Sequence, residues 1–246
     1  MGDELGRLLR EADRKKMELA DRPDPAPEAL EAYQERFLFE SIFYNNTIEG
    51  NQLSLEDVQA VLQDDVVIAG KPLSDHIAIV GYQRAMQLAD LYVNQGRRIT
   101  EHEIKRLHAT MLIDRPELSG EYRKHNLIIQ GHRPTTYEKV GLKMQQLTES
   151  KPSEFAHPIE SIAFFHLRLE KIHPFADGNG RVGRLIINLM LEQAGFPAII
   201  ILKTDRPAYH AALNAYDGLD GNPQVLPMQV LLAELVIRHL DELLAL

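Results

Sequence analysis

The chain has 246 residues, 44% of them hydrophobic and 26% charged, enough to bury one large core or two small ones. It contains no cysteine, which excludes disulfides, thiolate metal sites and a cysteine nucleophile, and which suits a reducing compartment. A formal charge of −9 disfavours nonspecific attraction to nucleic acid or anionic lipid, because such binding needs a basic surface.

The opening stretch MGDELGRLLREADRKK has early acids and no apolar run of signal-peptide length, and Gly6 stands where a myristoylation site takes Ser or Thr. No stretch approaches the roughly 18 apolar residues of a membrane helix. These features predict a cytoplasmic protein with neither a membrane nor a direct nucleic-acid partner.

Residues 3–20 read as a polar helix, and Asp21 to Pro27, with three prolines in seven residues, as a linker. The expected organisation is therefore an N-terminal helix and linker over 1–27, then a main domain over 28–246. From Glu28 a helical pattern runs through Phe37, Ile42 and Phe43 and ends near Glu49 and Gly50; Ser54 and Asp57 then cap the next segment. Thr100 and Glu103 form a capping box ahead of Ile104, Leu107, His108 and Met111, which recur on one helical face.

Between Gly120 and Tyr137 the pattern changes. Asn126 to Ile129 is strand-like, Gln130-Gly131 supplies a turn, and Pro134 confines the returning arm to an edge, so a short isolated hairpin is predicted. Pro158 then opens the clearest helix, with Ile159, Ile162, Ala163, His166, Leu169 and Ile172 on one face. A further helix begins near Gly180, is apolar nearly all round, and closes at Gly195 and Pro197, which marks it as the central core helix. Helical patterns return over 207–216 and 228–244. The fold class expected is mainly α with one short β-hairpin; His108 and His166, on apolar faces, read as hydrogen-bonded core histidines.

Between the two strongest helices lies His173-Pro-Phe-Ala-Asp-Gly-Asn-Gly-Arg-Val-Gly-Arg184. Gly178, Asn179 and Gly180 let successive backbone N–H groups converge at a helix N-terminus, which suits an anion, phosphate above all. Arg181 and Arg184, one helical turn apart, can reach a single multiply charged ligand. Asp177 can hold Mg²⁺ while phosphates and water complete its octahedron. His173 is the neutral-pH base of the loop.

Gly178 to Gly183 also satisfies GxGxxG, but a dinucleotide site needs a preceding strand and an acid about 20 residues on, whereas here a helix precedes and Ile200 to Lys203 follow. A kinase reading lacks the HRDxxxxN and DFG elements. His157, His166 and His173 are spaced by nine and seven residues, unlike a helical zinc pair.

The twelve residues 173–184 resemble the Fic family motif HxFx(D/E)GNGRxxR at every fixed position. Gly120 to Arg123 with Leu127 to Gly131 resembles that family's flap, and residues 35 to 240 fall within the similarity. The resemblance implies a Fic-like helical domain with a β-hairpin flap, about 120–137. It implies ATP as substrate, with AMP transferred to a Ser, Thr or Tyr hydroxyl of a target protein and pyrophosphate released. By the same match His173 is the base and Asp177 the Mg²⁺ ligand. Gly178, Asn179 and Gly180 form the anion cradle, and Arg181 and Arg184 hold the outer phosphates. Ile128 and Ile129 would align the target chain by strand addition.

Thr47-Ile-Glu-Gly-Asn51 resembles the family's inhibitory helix motif, (S/T)xxxE(G/N), which implies an inhibitory helix over about 34–50 and a regulatory Glu49. Asn45 departs from it, standing where Ser or Thr is expected. Three alternatives stay open beside adenylyl transfer: removal of AMP by the same site, transfer of another phosphate-containing group, and a nonenzymatic nucleotide-binding module. A homodimer is compatible with all of them.

Overall fold

The computed structural model describes residues 2–129, 132–150, 155–217 and 222–246. Among the described residues ten helices run in chain order: α1 (Gly2–Asp21), α2 (Pro27–Ile48), α3 (Leu55–Gln63), α4 (Leu73–Asn94) and α5 (Glu101–Met111), then α6 (Tyr137–Glu149), α7 (Pro158–Ile172), α8 (Asn179–Gln193), α9 (Arg206–Asp217) and α10 (Leu226–Leu244). The capping boxes at Ser54–Asp57 and Thr100–Glu103 are both formed. A third, unforeseen, sits at His157 and Glu160, where the His157 side chain accepts from the Ile159 N–H ahead of Pro158.

The apolar side chains gather into two clusters. One joins α2 through α6 to one face of α8, through Ile42, Ile79, Leu107, Met144, Val182 and Leu185. The other joins α1, α7, α9 and α10 to the opposite face of α8, through Leu8, Ile162, Ile187, Leu191, Tyr209 and Leu232. The all-round apolar character of α8 follows from its place between the two, and 11 of its 15 residues are buried. α1 belongs to the second cluster: Leu5, Leu8, Leu9 and Ala12 repeat at helical spacing, are buried, and pack the helix on α10. No helix among the described residues is long and apolar enough to cross a membrane.

The hairpin expected over 120–137 is not formed as strands. Among the described residues its arms share one isolated antiparallel bridge, between Ile129 and His132, and the predicted turn at Gln130-Gly131 lies outside the described residues. The returning arm spends its backbone hydrogen bonds elsewhere. Thr135 N–H donates to Lys171 O at the end of α7 at 3.0 Å, and Arg133 N–H to Asp217 Oδ2 at the end of α9 at 2.9 Å. Pro134 has no N–H to give. The ladder is therefore replaced by anchors to two helix ends.

Candidate active site

α7 ends at His173, whose backbone takes the left-handed conformation (φ 49°) while its N–H still donates to Leu169 O at 2.8 Å. Such a conformation costs a β-carbon-bearing residue energy and persists only when neighbours hold it. Arg123 does this. Its buried guanidinium donates to His173 O (2.8 Å), His125 O (2.8 Å), Ile172 O (3.4 Å) and Thr135 O, and its own N–H donates to Pro174 O (2.9 Å). The cation satisfies the last carbonyls of α7 and complements the negative end of that helix.

The loop after His173 is closed by reciprocal bonds: Asn179 Oδ1 accepts from Phe175 N–H and Asn179 Nδ2 donates to Phe175 O, both at 2.9 Å. Phe175 is fully buried and stacks on His108, with ring centroids 3.7 Å apart. Gly120 N–H donates to His108 Nδ1, which places the His108 proton on Nε2, where it donates to Asp177 O at 2.9 Å. Burial pushes His108 down to about 4, so it braces the loop as a neutral ring. Gly178 has φ 78°, and a Cβ there would lie 2.8 Å from Leu112 Cδ1.

α8 starts at Asn179, so the N–H groups of its first turn face the end of the loop. Arg184 is buried and held from α2: its Nε donates to Asn45 Oδ1 (2.7 Å), and its Nη2 to Asn45 O (2.9 Å) and Glu49 Oε1 (2.8 Å). Burial opposes its charge, but the Glu49 carboxylate outweighs that and raises its pKa. Glu49 Oε1 also lies 2.4 Å from the point a Gly180 Cβ would occupy, so the carboxylate rests against the first turn of α8.

A cavity of about 340 Å³ is lined by Glu49, Ile129, His173, Gly180, Arg184 and Tyr209. Asp177 and Arg181 stand outside it. Asp177 Oδ1 accepts from Gly178 N–H at 2.7 Å, and Oδ2 pairs with Arg115 at 2.6 Å and with Arg181 at 3.7 Å. Ile128 is fully exposed, away from the cavity that Ile129 enters. Burial, then the nearby His132 and Arg123, push the His173 imidazole down to about 4 and keep it neutral.

Residues 98–191 match the model of the Fic/DOC family. The protein adenylyltransferase Fic of Nematostella vectensis is 32% identical over 221 residues, covering 88% of this chain and 52% of that protein. The chain carries a Fic/DOC family domain. The protein of the same name from Drosophila persimilis is 33% identical over 202 residues, 80% of this chain and 40% of its own length. The chain thus spans about half the length of the curated relatives it matches. Among solved structures, a Fic domain containing signaling protein from Bacteroides thetaiotaomicron superposes with a TM-score of 0.85 at 26% identity, covering 96% of each chain. Fic-1 from C. elegans superposes with a TM-score of 0.87 over 98% of this chain and 72% of its own, and at 24% identity shares the fold.

The Fic loop is held by residues to which the motif assigns no role. Arg123, within the Gly120 to Arg123 stretch, and His108, one of the two core histidines, are 50 and 69 positions from their partners in the loop. Asn45 keeps the contact that its departure from the Fic inhibitory motif put in question. Its amide oxygen accepts from Arg184 as a Ser or Thr hydroxyl oxygen can, while its NH₂ donates back to Ser41 O at 2.9 Å.

Proposed function

We propose that this chain is an ATP-dependent protein adenylyltransferase restrained by its own Glu49. The observation that carries the reading is the position of the Glu49 carboxylate, paired with Arg184 at 2.8 Å and resting on Gly180 in the cavity that His173 also lines. An anion already sits where a helix N-terminus and an arginine would hold a phosphate. The name shared by the relatives, protein adenylyltransferase, supports the reaction class and a protein as target.

In this reading the target hydroxyl gives its proton to His173 Nε2 as its oxygen attacks the α-phosphorus. The bond to the oxygen bridging the α- and β-phosphates breaks, and pyrophosphate leaves with that electron pair. The N–H groups of Gly178 to Gly180 and the guanidinium groups of Arg181 and Arg184 hold the departing phosphates. Asp177 suits Mg²⁺, since its carboxylate is half-exposed at the loop edge and one carboxylate plus phosphates is a usual way to bind that ion. The ion would neutralise charge on the leaving group, and Asp177 must first leave Arg115. Ile128 and Ile129 present the flap to the target backbone. Residues 28–246 carry the reaction, and α1 packs against them through α10.

One observation favours a second reading, removal of AMP from a modified protein. Glu49 Oε2 has no protein partner among the described residues, so a water at the cavity can be oriented by it. A single experiment separates the two. The chain and Glu49→Gly are incubated with a labelled ATP analogue, Mg²⁺ and cell extract, and separately with a pre-adenylylated protein. Labelling by the glycine variant supports transfer. Release of AMP by the parent chain supports removal, and nucleotide binding without either supports a binding module.

A further inference from the structure

We infer that Glu170, on the last turn of α7, is a positioning residue for His173: its carboxylate sets the ring tautomer and compensates the charge that the ring gains as base. The inference rests on the transferase reading for its chemistry, although its geometry stands apart from it.

Glu170 Oε2 lies 3.8 Å from His173 Nδ1, three residues on along α7, and both side chains line the same cavity. His173 Nδ1 is buried without a hydrogen-bond partner among the described residues, and so is Glu170 Oε1. Oε2, the oxygen that faces Nδ1, comes within hydrogen-bond reach of it by a small ring rotation, while Oε1 turns toward Gly183 and the His166 ring. Leaving Nδ1 unpaired costs its desolvation.

α8 makes room for this carboxylate. A Cβ at Gly183 would stand 2.7 Å from Glu170 Oε1, so the glycine at this free position of the loop motif admits the acid against the helix. Among the described residues no Lys or Arg lies within ion-pair distance of Glu170, whose neighbour at that range is the neutral His173 ring. The charged and titratable groups that bear on it are Arg184, Glu49 and Tyr209, with the buried, neutral His166 ring beside Oε1 at Gly183; those bearing on His173 are His132, Arg123, Glu49 and the Glu170 main-chain carbonyl.

The chemistry follows from the two nitrogens of the ring. A base acting through Nε2 needs its proton on Nδ1, and an ionised Glu170 accepts that proton's hydrogen bond. When Nε2 takes the hydroxyl proton, the ring becomes an imidazolium beside two other cationic or ionisable groups, and Glu170 is the carboxylate that offsets it. A protonated Glu170 reverses this. It donates to Nδ1, places the ring proton on Nε2, and blocks the base. Burial pushes Glu170 up to about 7, so the productive form is present above about 7 and is lost as pH falls through that value.

The test uses the full chain with Glu49→Gly as background, in which transfer is to be measured, together with nitrogen-15 NMR of the His173 ring in the unmodified chain. Expected for Glu170→Gln is a fall in kcat of about tenfold to a hundredfold, an unchanged KM for ATP, and loss of the acid limb near pH 7. Glu170→Asp recovers part of the rate. Gly183→Ala, which pushes the carboxylate aside, copies the loss. In the spectrum the Nδ1–H tautomer dominates at pH 8 and gives way to Nε2–H below pH 7, and Glu170→Gln abolishes the change. A wild-type kcat and pH profile in Glu170→Gln, or a ring tautomer indifferent to Glu170, overturns the proposal. If transfer survives His173→Ala in the same background, the transferase reading fails instead, and the tautomer measurement still decides the role of Glu170.

Discussion

Asn45 Oδ1 accepts the Nε hydrogen of Arg184 at 2.7 Å, so α2 grips α8 through a neutral side chain as well as through the Glu49 carboxylate. The first contact is buried and the second half-exposed, with the Glu49 side chain 41% accessible, so the ion pair is weakened by solvent. Removing it is worth about tenfold in transfer, roughly 1.4 kcal/mol. Glu49→Gly is expected to raise protein labelling by at least that, and Glu49→Asp by less. Asn45→Ala should raise it modestly, because it loosens the arginine without freeing the cavity, and Glu49→Gly with Arg184→Ala should lose most of the gain. Equal labelling by the parent and Glu49→Gly, with ATP bound by both, removes the restraint.

His173→Ala is expected to lower transfer by about 10² to 10⁴, the usual weight of a general base, with ATP affinity unchanged. The proposed phosphate contacts lie at the start of α8 and the histidine just past the end of α7, so binding and proton transfer are separable. Titration of a fluorescent ATP analogue alongside the rate checks both halves.

Arg115 competes with any metal for Asp177 Oδ2, to which its Nη1 donates at 2.6 Å. Asp177→Ala should raise the Mg²⁺ concentration at half-maximal rate. Arg115→Ala should lower it by about twofold to fivefold, the range of an exposed ion pair of up to about 1 kcal/mol. A Mg²⁺ titration that neither variant moves takes Asp177 out of the metal role.

Arg123 gives its guanidinium hydrogens to carbonyls of residues 125, 135, 172 and 173, with no carboxylate partner within ion-pair distance among the described residues. Arg123→Met leaves those carbonyls unpaired and removes the cation from the end of α7, a loss of about 2 to 4 kcal/mol. Arg123→Lys should recover only part, since one ammonium cannot fork to so many acceptors. Urea unfolding measures the stability, and the rate of transfer by the surviving fold reports whether His173 stays in its left-handed conformation.

Gly81 marks the closest approach of α4 to the end of α5: a Cβ there would fall 2.1 Å from Met111 O. Backbone cannot yield as a side-chain tip can, so Gly81→Ala should destabilise by about 1 to 3 kcal/mol or more, although alanine is the better helix former. Thermal unfolding should show a lowered midpoint, and an unchanged one would mean that the two helices can separate freely.

Much of the site was legible because it is local. Residues 173–184 carry base, acid, glycines and arginines in one stretch, and the apolar repeats on either side identify α7 and α8. Caps such as Thr100–Glu103 likewise span only four residues, so propensity and pattern suffice to read them. α4 and α6 escaped notice because neither opens with a side-chain cap, and their buried faces are set by partners remote in the chain.

What the sequence by itself determined is the mainly helical fold, the family and the chemical inventory of the loop, all of which depend on neighbours in the chain. What only the tertiary structure decided depends on pairs far apart: Glu49 and Asn45 on Arg184 across more than 130 residues, Arg123 on the end of α7 across about 50, and the anchoring of 133–135 to α7 and α9 in place of a hairpin. The physical reason is that a backbone or side-chain polar group must find a partner once buried, yet nothing in its local sequence says which of several candidates will reach it first.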